Sequence, residues 1–149
     1  MQNSIIIEKA NQSDAAEIAI ILRTVVRHNL PYLPELHTLK EDLNYISNIV
    51  FPKCQVYIVK DKETIAGFCA FREGWIDYLY ILPQYQGNGI GAQLLTLAKA
   101  ANTEIQLWTF QKNELARKFY ESHGFVIVEM TDGEGNEEKE PDIRYLWQL

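Results

Sequence analysis

The chain has 149 residues, 47% of them hydrophobic and 23% charged, and a formal net charge of −6. This length and composition predict a single domain over residues 1–149 with a hydrophobic core, and they exclude a largely disordered chain. The acidic charge argues against a nucleic-acid partner, because nucleic-acid binding needs clustered Lys and Arg. No apolar stretch approaches the roughly 18 residues of a membrane span, and the opening MQNSIIIEKA lacks a signal-peptide pattern. We therefore expect a cytoplasmic protein without a membrane partner, whose two cysteines, Cys54 and Cys69, are free thiols.

The first half of the chain predicts one strand, two helices and three further strands. Residues 4–9 are strand-like, and Ser13 and Asp14 offer N-caps to a helix whose apolar stripe runs to about residue 29. Thr38 and Glu41 have capping-box spacing, and a second apolar stripe continues to Pro52. The segments 55–61, 63–73 and 75–82 then have the composition of strands, and a tight turn near residue 62 joins the first two.

The second half predicts two helices and three strands. A helix follows residues 86–91, residues 104–110 form a strand, and residues 113–124 form a short helix between Asn113 as N-cap and Gly124 beyond its C-cap. Two strands close the chain around an acidic connection. The order βααβββαβαββ has too many adjacent strands for a doubly wound parallel sheet. We predict an α/β (α+β) fold with a mixed, mostly antiparallel sheet and helices on both faces.

The loop QGNGIG, residues 86–91, carries three glycines directly before a helix. A helix N-terminus presents unpaired N–H groups and the positive end of the helix dipole, and glycines let a ligand approach the backbone. Three glycines in five residues favour a phosphate site over a plain strand-to-helix turn. A Walker A loop is excluded, because Ala92 and Gln93 follow Gly91 in place of Lys and Ser or Thr.

A nicotinamide dinucleotide is the alternative ligand for this loop. Gly87, Gly89 and Ala92 satisfy the pattern G-x-G-x-x-G/A. However, the residues PQYQ separate the preceding strand from the first glycine, which should stand at the tight turn itself. The next strand also ends in Thr109 and Phe110, without the acidic residue that would hold a ribose. The dinucleotide is therefore the less favoured ligand.

The stretch Gln86-x-x-Gly89-x-Gly91 resembles the Q/R-x-x-G-x-G/A signature of the GNAT superfamily of N-acetyltransferases. The resemblance covers nearly the whole chain, including the preceding strand DYLYILP and the following helix AQLLTLAKA. It includes the family's run N-x-x-A-x-x-F-Y-x-x-x-G-F, formed here by Asn113, Ala116, Phe119, Tyr120, Gly124 and Phe125. The resemblance implies a GNAT-like fold and an enzyme that transfers the acetyl group of acetyl-CoA, its cosubstrate, to a primary amine by direct attack.

The resemblance also implies which residues bind the coenzyme. The pyrophosphate would lie at the loop, the pantetheine arm would pair with the main chain of the preceding strand, and an asparagine side chain would contact the coenzyme. The loop residues are Gln86, Gly87, Asn88, Gly89, Ile90 and Gly91. The strand residues are Leu79, Tyr80 and Ile81, and the asparagine is Asn113.

Two residues are implied as catalytic groups. A lysine-like amine has a pKa of about 10.4, so a base must remove its proton before attack. Asp77 matches the family's acidic residue, which acts directly or through water, and Glu73 is the reserve. Tyr120 resembles the family's general acid, which protonates the leaving thiolate. Transfer from an ordinary phenol to a thiolate is uphill by about 1.5 pKa units, or roughly 2 kcal/mol, and the environment would have to cover this difference.

The acceptor is left open, as a small-molecule or a peptide amine, and so is a homodimer. Residues 28–37 occupy the segment that borders the acceptor pocket in GNAT folds, with His28, Tyr32 and His37 as candidate lining residues. The connection TDGEGNEEKEPD, residues 131–142, has six acidic residues against one Lys, which indicates either a solvated surface or attraction of a cationic amine. The alternative function is a non-catalytic sensor module that binds coenzyme A.

Overall fold

The computed structural model describes residues 4–149. Its centre is a seven-stranded sheet with the strand order β1-β2-β3-β4-β5-β7-β6. The strands are β1 Ile5–Lys9, β2 Gln55–Asp61, β3 Thr64–Arg72, β4 Trp75–Ile81, β5 Glu104–Phe110, β6 Val126–Met130 and β7 Asp142–Gln148. Neighbouring strands are antiparallel, with β4 and β5 as the parallel pair. The predicted mixed, mostly antiparallel sheet is confirmed.

The helices lie where the sequence predicts them. They are α1 Ala15–Asn29, α2 Leu39–Tyr45, α3 Phe51–Lys53, α4 Ile90–Ala100 and α5 Glu114–Ser122. A π-helical turn, Ile46–Val50, joins α2 to α3, so the helical path passes through Pro52 and ends one residue later. Proline is tolerated there because it stands in the first turn of α3. Within residues 4–149, the helices are all too short or too polar to cross a membrane.

Two of the predicted helix starts are confirmed and one is wrong. The Glu41 N–H donates to Thr38 Oγ1 at 3.1 Å while the Thr38 N–H donates to Glu41 Oε1 at 2.8 Å, which completes the capping box. The side chain of Asn113 caps α5. A short 3-10 turn, Gln12–Asp14, precedes α1, and neither Ser13 nor Asp14 caps that helix. The Asp14 carboxylate instead accepts a hydrogen bond from the Asn11 N–H at 2.8 Å, so it closes the 3-10 turn.

The sheet has a hydrophobic core on each face. On one face, α1 and the π-helical turn pack against β2 and β3 through buried residues that include Ile18, Ile46, Ile58 and Phe68. On the other face, α4 and α5 pack through Leu94, Leu95, Leu107, Tyr120 and Tyr145. Burying apolar side chains on both faces provides the main driving force for folding. It also holds α1 and α5 on opposite faces of the central strands.

The parallel strands β4 and β5 meet at one point. Trp75 is opposite Gln106, and the Gln106 N–H donates to the Gly74 carbonyl at 2.8 Å. Within the described residues, no further β4–β5 partners continue this ladder. The two strands therefore separate along the rest of β4, and the gap between them opens toward the start of α4.

Candidate active site

A cleft of about 450 Å³ fills the gap between β4 and β5. Its walls are β4, the first turn of α4, the middle of β5 and the inner side of α5. Most of the sequence-predicted site residues line it, namely Asp77, Leu79, Tyr80, Ile81, Gln86, Gly87, Gly89, Ile90, Gly91, Asn113 and Tyr120. Asn88 is exposed outside the cleft, and Glu73 lies in the exposed turn between β3 and β4.

The N-terminus of α4 faces this cleft without a side-chain cap. Its N-cap residue, Gly89, has φ 79°, and no acidic residue stands in the first turn. Gly87 also has positive φ, and a Cβ atom at either glycine would meet nothing within 4 Å. The first N–H groups of α4 are therefore open to an anion, and the positive dipole end favours one. This donor set fits the phosphates of a coenzyme.

The third glycine of the loop, Gly91, has different surroundings from the other two. Gly91 lies inside α4, where a Cβ atom would come within 3.4 Å of the Phe119 ring. A methyl group there would be in ordinary van der Waals contact with this ring, so this position packs against α5. Gly91 thus differs from Gly87 and Gly89, whose positive φ favours glycine.

Two side chains hold the loop in place. The Gln86 amide donates to the Ile81 carbonyl at 2.9 Å, and the Tyr85 hydroxyl donates to Asp61 Oδ2 at 2.9 Å. Asn88, at the outer edge of the loop, is within 3.4 Å of the Tyr85 carbonyl through its amide nitrogen. The side chain of Gln86 thus folds the loop back on the end of β4, which orients the backbone that precedes α4.

Tyr120 presents its hydroxyl to the cleft from a buried ring. The ring packs against Phe125 and Tyr145, with centroids 5.3 Å and 6.3 Å away. The hydroxyl makes no hydrogen bond with any residue in the described part of the chain. Burial raises the pKa of Tyr120, and the nearby Cys69 and Tyr80 raise it further. The hydroxyl is therefore a protonated donor that no other residue of 4–149 uses.

Asp77 lies at a β-bulge and forms an ion pair. The pairing of β3 with β4 moves from Ala70–Tyr78 to Phe71–Ile76, which leaves Asp77 as the extra residue. Arg72 donates to both of its oxygens, from Nε at 2.8 Å and from Nη2 at 3.2 Å. Bidentate pairs of this kind are the stronger type of charged hydrogen bond. The carboxylate of Asp77 is thus compensated by a guanidinium that sequence reasoning did not single out.

Cys54 and Lys53 complete the surroundings of Asp77. The Cys54 thiol donates to Asp77 Oδ2 at 3.4 Å, and Lys53 Nζ is 4.0 Å from the same oxygen. Burial and then the charge of Asp77 raise the pKa of the Cys54 thiol to about 11. Because thiolate is the nucleophilic form, this thiol is a poor nucleophile at neutral pH. Both cysteines are free, as the sequence predicts.

The α1–α2 loop and the acidic connection touch each other. His37 and Glu137 form a hydrogen-bonded pair between the α1–α2 loop and the acidic connection. Lys112 lies 5.2 Å above the Tyr32 ring and 3.5 Å from Glu140 Oε2. Tyr32, His37 and also His28 thus stand outside the cleft wall, and Asn29 and Leu30 line it instead. Leu30 could have been found from the sequence, because it follows directly on the apolar stripe at the end of α1.

These features define a cleft between two separating strands, and its main-chain donors suit a phosphate-bearing ligand. The acetyltransferase (GNAT) domain model matches residues 52–127, from the end of α3 to β6. The chain belongs to this acetyltransferase (GNAT) domain family. The match includes β4, the glycine loop, α4 and α5, which are the elements that build the cleft.

Individual relatives agree with this assignment. The chain is 28% identical over 76 residues to the peptidyl-lysine N-acetyltransferase YiaC of Escherichia coli strain K12, covering 50% of this chain and 52% of YiaC. It is 33% identical over 86 residues to an uncharacterized N-acetyltransferase of Archaeoglobus fulgidus, covering 54% and 58% of the two chains. The matches thus span little more than half the length of these relatives.

The fold is also shared with a solved structure. The crystal structure of the PaiA N-acetyltransferase from Thermoplasma acidophilum in complex with coenzyme A superposes with a TM-score of 0.77. The two chains are 17% identical, and the superposition covers 98% of this chain and 99% of that one. The likeness establishes that the whole described chain has the GNAT fold.

Proposed function

We propose that the protein transfers the acetyl group of acetyl-CoA to a primary amine by direct attack of the amine on the thioester. The observation that carries this proposal is the separation of β4 from β5 beside the uncapped start of α4, with the Tyr120 hydroxyl in the same cleft. Family membership and the names of the relatives support it. The cytoplasmic location and the homodimer stay predictions.

The coenzyme would be held mainly by main-chain groups. The loop from Gln86 to Gly91 would bind the pyrophosphate through N–H groups, and Asn113 stands beside it at the start of α5. The segment 79–81 borders the gap between the strands, where its backbone can pair with the amide groups of a pantetheine arm. The acetyl-thioester at the end of the pantetheine arm would thereby be directed along β4 toward Tyr120.

The amine must lose a proton before it attacks, and Asp77 is the proposed acceptor of that proton. Its two oxygens already accept hydrogen bonds from Arg72. Transfer through water to Asp77 needs no displacement of Arg72, and water carries the proton in this proposal. Glu73 stands outside the cleft and is the weaker candidate.

The leaving thiolate would take its proton from Tyr120. The pKa of this phenol is raised rather than lowered, so the phenol itself does not remove the roughly 2 kcal/mol mismatch with a thiol. Burial raises the pKa of thiols as well, and the buried Cys69 has a pKa of about 12. A coenzyme thiolate released beside the buried Tyr120 ring would likewise be a stronger base than in water, which would reduce the mismatch with the phenol.

The acceptor is a small-molecule or peptide amine. YiaC carries the name of a peptidyl-lysine N-acetyltransferase. A lysine side chain ends in a primary amine, so it belongs to the proposed class of acceptors.

Two measurements made together test the proposal. Thermal unfolding with acetyl-CoA, and in parallel with a nicotinamide dinucleotide, reports ligand binding; at about 100 times the Kd the expected rise is about 5 to 10 °C. Release of free coenzyme thiol is then followed with a panel of amines. Stabilisation by acetyl-CoA alone, with amine-dependent thiol release, supports the transferase. Stabilisation without release on any amine would favour the sensor module, and stabilisation by the dinucleotide alone would overturn the coenzyme assignment.

A further inference from the structure

A second hollow, of about 560 Å³, adjoins the cleft along β5. We call it the acidic hollow, and its main lining residues are Trp108, Thr109, Phe110, Asn136, Glu138 and Asp142. Trp108 and Thr109 line both the cleft and this hollow. The hollow has two carboxylates and no Lys or Arg among the described residues that line it. An aromatic wall beside a carboxylate without a cationic partner favours a cation.

Most of the acidic residues in the connection 131–142 already have partners. Glu137 pairs with His37, Glu140 lies 3.5 Å from Lys112, and Asp142 accepts from Thr131 and Asn136. Asp132 Oδ1 accepts from the Glu134 N–H at 3.0 Å. These four carboxylates stabilise the loop itself. The acidic run is therefore not a uniform solvated surface.

Glu138 is different, because its carboxylate has no ion pair or hydrogen bond with any residue in 4–149. It is half-buried, and it lines the acidic hollow and a neighbouring hollow of about 510 Å³ beside the end of α1. The arginines of that second hollow are occupied, since Arg23 pairs with Asp42 at 2.9 Å and Arg27 with Glu35. Glu138 is thus a half-buried negative charge without a compensating cation.

The charge of Glu138 acts on the cleft. Burial and then the charge of Glu138 raise the pKa of Tyr80, which lines the cleft, to about 12. A group in the cleft therefore experiences this carboxylate. A positive group placed between Glu138 and the indole of Trp108 would relieve the uncompensated charge.

We propose that Glu138, with Trp108, binds a second positive group of the acceptor, so that the preferred acceptors are amines carrying another cationic group. The proposal rests on the proposed acetyl transfer and names the substrate class of that site. The reacting amine is neutral in the cleft, while the second group stays protonated in the acidic hollow. Glu138 determines specificity and takes no part in the chemical step.

Calorimetric binding to the full chain saturated with coenzyme A tests this inference. The probes are 1,3-diaminopropane, 1,5-diaminopentane and 1,8-diaminooctane, each against the monoamine of the same length. For at least one length, the wild type should bind the diamine about tenfold more tightly, as expected for a charge pair that is partly buried. Glu138→Gln should reduce this preference to about twofold or less. Glu134→Gln is the matched control, because Glu134 is exposed, lies in the same connection and lines neither hollow.

The outcomes separate this inference from the proposed function. Equal binding of diamines and monoamines by the wild type, or an unchanged preference in Glu138→Gln, overturns the role of Glu138 even if acetyl transfer is observed. A preference that depends on Glu138 in a protein that transfers no acetyl group supports the cation site and overturns the transferase. Since the readout is binding, failure of catalysis does not obscure the result.

Discussion

Trp75 lies opposite Gln106 at the point where β4 and β5 meet. Beyond this pair the strands diverge, and the hydrogen-bonding edge of β4 faces a cleft rather than another strand. A sheet edge of this kind is normally covered or paired, because unpaired backbone groups are costly to bury. An extended ligand with its own amide groups can restore the pairing, as proposed for the pantetheine arm of the coenzyme.

Tyr120→Phe should reduce turnover by about 10² to 10⁴ while coenzyme affinity stays nearly the same. The hydroxyl makes no hydrogen bond with the described residues, so its removal should leave the free energy of unfolding almost unchanged. Steady-state kinetics and titration with coenzyme A check the two parts. Unchanged turnover would show that Tyr120 serves only to pack α5 against the sheet.

Gly89→Ala should weaken coenzyme binding and also destabilise the protein by about 1 to 2 kcal/mol, because alanine is strained at φ 79°. Gly74→Ala is the matched control. Gly74 has φ 78° and equal free space around a Cβ atom, but it lies in the β3–β4 turn, outside the cleft. Both variants should lose similar stability, and only Gly89→Ala should lose coenzyme affinity. Equal affinity in the two variants would contradict the anion site at α4.

Asp77→Asn separates two roles of this carboxylate. If Asp77 receives the proton of the amine through water, kcat should fall by about 10² or more, and raising the pH should partly restore it because more of the amine is neutral. Arg72→Gln, which frees Asp77 from its ion pair, should retain activity. A loss of stability in both variants without a selective loss of kcat would show that the pair only anchors the bulge of β4.

Cys54 should react slowly with iodoacetamide. With a pKa of about 11, it holds on the order of a hundredfold less thiolate at pH 8 than an ordinary thiol. Asp77→Asn removes one cause of the shift, so labelling should become faster. The folded-state pKa lies above the unfolded value, so this thiol favours the folded state below about pH 8.5, and the contribution is lost as the pH rises toward 11. Mass spectrometry of the labelled peptide measures the rate.

Asp61 should titrate below its ordinary range. Hydrogen bonds from Ser4 and then Tyr85 lower its pKa. Because the folded-state pKa lies below the unfolded value, the contribution of Asp61 to stability is present above about pH 3.9 and is lost as the pH falls through the folded-state pKa. Tyr85→Phe should raise the pKa of Asp61, and Ser4→Ala should raise it more. Carboxyl NMR titration checks both, and an unmoved pKa in Tyr85→Phe would contradict the contact.

The order of elements could be predicted because its signals are local. The capping box of α2, the Asn113 cap and Gly124, with φ 90°, depend on residues within a few positions of one another. The start of α1 was wrong because Asp14 closes a 3-10 turn with Asn11 instead of capping the helix. The Asp14 carboxylate could accept either from the first N–H groups of α1 or from the Asn11 N–H. The apolar periodicity of the helix does not distinguish these two hydrogen bonds.

The sequence by itself determined the elements, the glycine loop and the family pattern around Tyr120, since these follow from short-range spacing and backbone conformation. Only the tertiary structure decided which side chains meet. The pair Arg72–Asp77 depends on a bulge in the β3–β4 register, and the difference between Glu138 and its acidic neighbours depends on contacts from α1 and β5. Charge and burial act between residues that are close in space, and the packing of the sheet against its helices determines that closeness.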